Sequence, residues 1–256
     1  MLNQFREAKQ AEIVALRKLD EKGEMPRAWY GHRPLFSARL RSRGPAALIA
    51  EYKRASPSMG EINSELGPRE AAAIFAENGA AAMSVLTEEV YFQGSLDYLA
   101  VCAGEALPLL RKDFLFDPLQ VRATAATPAS AYLLVVRMFA DAEELRTMIQ
   151  TGRELGLEAV VEIFDERDLE LARTAGAEII QVNARDLDTL EVDHDNVRRL
   201  VSRGRPGEVW IAASGVFTPE QVREAAERGY DAVLVGTAIM ASDDPGAVVR
   251  SLAEAL

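Results

Sequence analysis

Short apolar runs recur along the chain, at 48–50, 81–86, 107–110, 131–136, 159–161, 179–182, 209–213 and 232–235. Most are rich in Val, Ile or Leu and are apolar at successive positions, not at every second one. A strand with one wet face alternates, whereas a strand covered on both faces does not, so these runs predict parallel strands sheathed by helices. The intervening segments 68–78, 140–155, 166–175 and 219–228 carry their apolar residues at helical spacing. In the last of them Thr218-Pro219-Glu220 supplies an N-cap, a proline at the first helical position and an early acid. Gly79, Gly156, Gly176 and Gly229 stand where a left-handed residue would stop a helix before the next strand.

Between the strand ends at Lys53 and Gly236, each repeat averages about 26 residues, enough for a strand, a helix and two short loops. Eight such units predict an α/β fold, a (β/α)8 TIM barrel. An open doubly wound sheet more often shows a glycine-rich phosphate turn after strand 1, and here Lys53-Arg54-Ala55-Ser56-Pro57-Ser58-Met59-Gly60 follows instead. Residues 1–45 read as an N-terminal helical extension: a helix, a proline-containing connector and a second short helix over 35–41, suited to a lid or a barrel plug. The length fits one barrel domain covering 1–256, with the extension as part of it.

Charge and composition restrict the partners. With 29 Lys+Arg against 40 Asp+Glu the net charge is -11, which disfavours nucleic acid and anionic membranes, so an anionic ligand must meet a local basic pocket. The lone Cys102 forms no internal disulfide, and His32 and His194 make no zinc-spaced cluster. The expectation is a cytoplasmic protein without metal or cofactor, a monomer or weak homo-oligomer that takes a small phosphorylated molecule. The first residues are charged throughout, unlike a signal peptide, and no apolar run reaches spanning length. Glu88-Glu89-Val90-Tyr91-Phe92-Gln93-Gly94 looks like an expression-tag cleavage site, yet it follows an apolar strand with no linker and reads as native.

Barrel enzymes carry their chemistry at the C-terminal ends of the strands. Glu51 and Lys53 end strand 1, Lys112 strand 3, Glu162 strand 5, and Asn183 and Arg185 strand 6. Glu51 and Lys53 are two apart and share a face, so they can pair at the mouth, as a rim ion pair or as part of a site. Lys112 and Glu162 each follow an apolar run, where an unneeded charge is expensive to desolvate. A lysine and a carboxylate facing each other across a mouth can serve as general acid and general base. Ser214-Gly215 and Gly236-Thr237, after strands 7 and 8, have the form of a barrel phosphate site, although turn glycines look the same. Phe92 and Phe114 can stack on an aromatic substrate or pack under a loop.

Several strings then point to one family. They are Ile49-Ala50-Glu51-Tyr52-Lys53-Arg54-Ala55-Ser56-Pro57-Ser58, Ser84-Val85-Leu86-Thr87-Glu88 with Tyr91-Phe92-Gln93-Gly94-Ser95, Leu110-Arg111-Lys112-Asp113-Phe114 with Asp117-Pro118, Val161-Glu162-Ile163, Asn183-Ala184-Arg185-Asp186-Leu187 and Val235-Gly236-Thr237. In order and spacing, from about Leu35 to the C-terminus, the chain resembles the indole-3-glycerol-phosphate synthases. The resemblance implies a cofactor-free ring closure of 1-(2-carboxyphenylamino)-1-deoxyribulose 5-phosphate to indole-3-glycerol phosphate, with loss of CO₂ and water. It implies Lys112 as the general acid on the ketone oxygen and Lys53 as the cation that holds substrate and assists proton transfer. Glu162 becomes the later base, with Glu51 and Asn183 as positioning groups. Ser56, Arg185, Ser214, Gly215, Gly236 and Thr237 become substrate and phosphate contacts, and Phe92 and Phe114 the walls around the anthranilate ring.

The chain departs from the family pattern at four places. Ala213 replaces a glutamate at strand 7, Met59 a lysine after strand 1, Ala184 an asparagine, and Thr237 a serine or glutamate. Two other readings keep the barrel: an altered-specificity paralogue on another phosphorylated amino-sugar, such as an isomerase, and a non-catalytic binding subunit. The isomerase of this kind uses a cysteine at the end of strand 1, a place that Glu51 to Lys53 occupy here.

Overall fold

A computed structural model of the chain describes residues 1–185 and 194–256, with 194–197 as helix backbone only. Eight parallel strands close into a barrel: β1 (Ala47–Tyr52), β2 (Ala82–Leu86), β3 (Leu109–Lys112), β4 (Ala131–Val135), β5 (Glu158–Ile163), β6 (Ile179–Asn183), β7 (Val209–Ala213) and β8 (Ala232–Val235). Each strand pairs with its neighbours in sequence, and β8 returns to β1 with Ala47 opposite Ala232. Every apolar run is therefore a strand, and β1, β2, β4, β6, β7 and β8 are buried at each position because side chains fill one face and helices cover the other. The predicted helices lie at Pro68–Glu77, Ala142–Glu154, Glu166–Ala175 and Pro219–Glu227. Thr218 caps the last by accepting from the Gln221 N–H. Gly176 ends Glu166–Ala175 at φ 90, a left-handed turn that any β-carbon would strain.

The N-terminal extension differs from the expectation in one respect. Its first part is two helices, Leu2–Ala8 and Gln10–Glu21, joined at Lys9. Lys9 turns its ammonium inward to the buried Asp113, 2.9 Å away, and the break lets Phe5 and Glu12 both face the barrel. The second part, Phe36–Ser42, closes the opposite end. Glu158, the first residue of β5, accepts from the Phe36 and Ser37 N–H groups at 2.6 and 3.2 Å, while Phe36 and Leu40 are fully buried. The extension thus covers the rim at the top and plugs the floor. Among the described residues, no helix is long and apolar enough to cross a membrane.

Candidate active site

Side chains on one strand alternate between interior and exterior, so the parity that turns Ile49 inward also turns Glu51 and Lys53 into the upper mouth. The same parity brings Lys112 from β3, Glu162 from β5, Asn183 from β6, Ala213 from β7 and Leu234 from β8 to one open cleft of ≈ 1070 Å³, mouth included. Ser56, Phe92, Phe114, Arg185, Ser214, Gly215, Gly236 and Thr237 line it too. Each residue expected from the sequence to be catalytic or substrate-binding therefore lines this cleft. Asp186 and Leu187, part of the motif after strand 6, lie outside the described residues.

Glu51 is the hub of the cationic side. Its carboxylate lies 3.2 Å from Lys53 Nζ and 3.8 Å from Lys112 Nζ, and it accepts from Ser84 Oγ at 3.4 Å. Burial would raise its pKa, but the two ammonium groups and the hydrogen bonds hold it below the usual carboxylate value. Gly236 makes this approach possible, because a β-carbon there would fall 2.5 Å from Glu51 Oε1. Lys112 thus lies against Glu51, and Glu162 has its own supports on the far wall. Gln181 Nε2 donates to Glu162 Oε2 at 2.5 Å and Asn183 Nδ2 to Oε1 at 3.2 Å. Asn183 Oδ1 accepts from the Arg185 N–H at 3.0 Å, so one amide links the carboxylate to the following turn.

Two turns complete the rim. Ser214 holds φ 66 and Gly215 φ 77 directly after β7. A serine in the left-handed region costs about 1 kcal/mol, a strain that concentrates at functional sites. After β8, Gly236 leads into the short helix Thr237–Met240. Turns after strands 7 and 8 with a short extra helix have the form in which barrels frequently bind phosphate.

The aromatic wall has a member that the sequence did not reveal. Phe5, from the first helix of the extension, stacks on Phe114 with centroids 3.8 Å apart and planes at 11°. Phe92 tilts against both at 6.2 Å. Phe5 is 109 residues from Phe114, and an apolar residue in a short amphipathic helix carries no local signal of such a partner. Gln181 was also missed, for it lies inside the run 179–182, short of the strand end where barrel enzymes carry their chemistry. The tag-like segment is built into this rim: Glu88 is buried and accepts from the Val90, Tyr91 and Phe92 N–H groups at 3.0, 2.7 and 3.1 Å.

Behind β3 lies a second charged cluster. Arg111 and Asp113 stand on either side of inward Lys112; both are buried and paired with each other at 2.8 Å, and Asp113 also borders the cleft. Arg111 donates to Thr87, the Gln120 carbonyl, Thr124, Glu12 and Asp113 at 2.8–3.2 Å. Burial would raise the Asp113 carboxyl, but Arg111, Lys9 and Thr87 hold it down at about 2. Among the described residues no group of three or more His, Cys, Asp or Glu gathers as a metal site. Cys102 ends the helix Asp97–Cys102, buried, with its thiol 3.4 Å from the Pro68 carbonyl and outside the cleft lining.

The family profile described as Indole-3-glycerol phosphate synthase matches residues 2–252. The chain belongs to the indole-3-glycerol phosphate synthase family. The match takes in the extension, beyond the Leu35 where recognisable strings begin. An indole-3-glycerol phosphate synthase of Carboxydothermus hydrogenoformans is 41% identical over 84% of this chain and 81% of its own length. One from Acetivibrio thermocellus is 39% identical over 90% and 93%. Among solved structures, 3-hexulose-6-phosphate synthase from Salmonella typhimurium superposes with a TM-score of 0.65 at 18% identity, covering 82% of this chain and 98% of its own. That likeness concerns the barrel alone.

Proposed function

We propose that the cleft closes the indole ring of indole-3-glycerol phosphate, converting 1-(2-carboxyphenylamino)-1-deoxyribulose 5-phosphate with release of CO₂ and water. The observation that carries this reading is the convergence of Lys53 and Lys112 on one carboxylate, Glu51, in a cleft whose lining also holds the clamped Glu162 and an aromatic wall. Phe92, Phe114 and Phe5 offer an apolar surface to the anthranilate ring. Ser214-Gly215 and Gly236-Thr237, with Ser56 and Arg185 lining the same cleft, offer contacts for the phosphate and the sugar hydroxyls.

In this reading Lys112 gives a proton to the ketone oxygen as the ring carbon bonds to the carbonyl carbon. Lys53 holds the substrate and assists that transfer, while Glu51 keeps both ammonium groups in place. The ring carboxylate then leaves as CO₂, its bonding electrons returning to the ring. The new hydroxyl takes a second proton from the ammonium pair of the mouth, replenished from solvent, and departs as water, and Glu162 takes the last ring proton. Apolar walls disfavour the charge of the carboxylate that leaves. The substrate is a small phosphorylated molecule, met by Lys53, Lys112 and Arg185 in one cleft of a chain whose net charge is -11. The chain acts as one unit over 1–256, the extension supplying part of the cleft.

The test is fluorescence-detected formation of indole-3-glycerol phosphate from the carboxyphenylamino substrate, with Lys112→Ala and Glu162→Gln as controls. Wild type should turn over at least about 100-fold faster than either. A wild-type rate equal to that of Lys112→Ala sinks the reading.

A further inference from the structure

Gln181 lies on β6 one inward position below Asn183, fully buried within the barrel, and stands opposite Glu162 in the register of β5 with β6. Its Nε2 donates to the Glu162 carboxylate at 2.5 Å. Its other amide atom, Oε1, is buried with no hydrogen-bond partner among the described residues. On the far side its register partner is the apolar Ile211.

An orphaned carbonyl oxygen in a barrel interior destabilises the fold, and a methionine would fill similar space without that penalty. Stability therefore does not account for a glutamine at this place. The amide does bring a donor and an acceptor within reach of one carboxylate. A carboxylate only accepts hydrogen bonds, whereas a carboxylic acid also donates one. The orphaned oxygen is the complement of that second state.

Building on the proposed ring-closure reaction, we propose that Gln181 is a positioning residue that holds Glu162 in both of its protonation states. With Glu162 ionised, Nε2–H donates to Oε2, as the structure shows. When Glu162 takes the ring proton, its new O–H becomes a donor, the C–H bond electrons remain in the ring, and no other reactant is needed. A half-turn of the Gln181 amide about Cγ–Cδ then presents Oε1 to that O–H. Release of the proton to water restores the first state. Asn183 holds Oε1 of Glu162 throughout, so the carboxyl group keeps its direction while its charge changes.

The experiment compares the full-length wild type with Gln181→Met and Gln181→Asn by steady-state kinetics and thermal unfolding. Gln181→Met should lose about 10- to 100-fold in kcat, the effect of one hydrogen bond to a charged group, with KM within about twofold. Its unfolding midpoint should equal or exceed that of wild type, because the orphaned oxygen is gone. Gln181→Asn keeps the amide but falls one methylene short of Glu162, and should lose kcat similarly. Wild-type kcat in Gln181→Met overturns the proposal, as does a loss of kcat accompanied by a lower midpoint and raised KM, which would mark a packing role. Should Gln181→Met not fold, Gln181→Asn decides by kcat at unchanged KM. Failure of the ring-closure reading shows separately, as a wild type no faster than Lys112→Ala, and overturns both.

Discussion

Two charged clusters lie back to back across β3, one in the mouth around Lys112 and one behind it around Arg111. Both are built from basic side chains and carboxylates. Behind the strand, Lys9 and Arg111 face Glu12 and Asp113, charge is balanced, and all five guanidinium donors have acceptors. In the mouth, two ammonium groups share the single carboxylate of Glu51, and each retains some exposure to the cleft, 14% for Lys53 and 19% for Lys112. A saturated, neutral network has nothing left to offer a ligand, so its role is to fix β3 and dock the extension. An unsaturated, cationic one is prepared for an anion or a proton transfer. Charge on a strand end is thus informative only together with the number of donors still to be satisfied.

The sharpest way to break this contrast is Lys112→Ala. It should lower kcat by about 10²- to 10⁴-fold, the range for a general acid, and leave the thermal unfolding midpoint almost unchanged. A midpoint that falls markedly would make the mouth cluster structural as well. Asp113→Ala should do the reverse. It leaves two buried cations, Arg111 and Lys9, to share the one carboxylate of Glu12 and should cost about 3–5 kcal/mol in urea unfolding, with KM little altered. Phe5→Ala probes the seam between the two regions: loss of the stacked ring should raise KM about five- to tenfold with a smaller change in kcat.

The smallest effect is on acid stability. Asp113 has its pKa depressed from 3.8 to about 2, so its contribution is present above the unfolded value and is lost as pH falls through that interval. Urea midpoints measured from pH 5 downward should show this loss in wild type, and Asp113→Asn should lack that part of it. An identical pH dependence in the two proteins would remove Asp113 from the account.

Much of this architecture was legible in the sequence because its signals are local. The strand at 209–213 and the helix opened by Thr218-Pro219 declare themselves through burial pattern and capping chemistry within a few residues. The polar residues at the strand ends were legible for the same reason, since Lys112 and Glu162 interrupt apolar runs. What could not be read were contacts set by closure of the chain on itself. Lys9 meets Asp113 across 104 residues, and neither residue type advertises the other. Gln181 stands inside the run 179–182, and only the strand register places it opposite Glu162. Ala213 was legible as a missing carboxylate. In the structure it lines the cleft beside Asn183, its register partner on β6.

The near-contact between Gly236 and Glu51 bears on how this cleft can change. Any residue larger than glycine at 236 would push the hub carboxylate away from both lysines, so the position is closed to variation as long as the lysine pair is in use. Ala213, Val216 and Phe217 line the same cleft without such a constraint. A combinatorial library aimed at new substrates should leave 236 untouched and randomise those three, where altered shape need not disturb the charge arrangement.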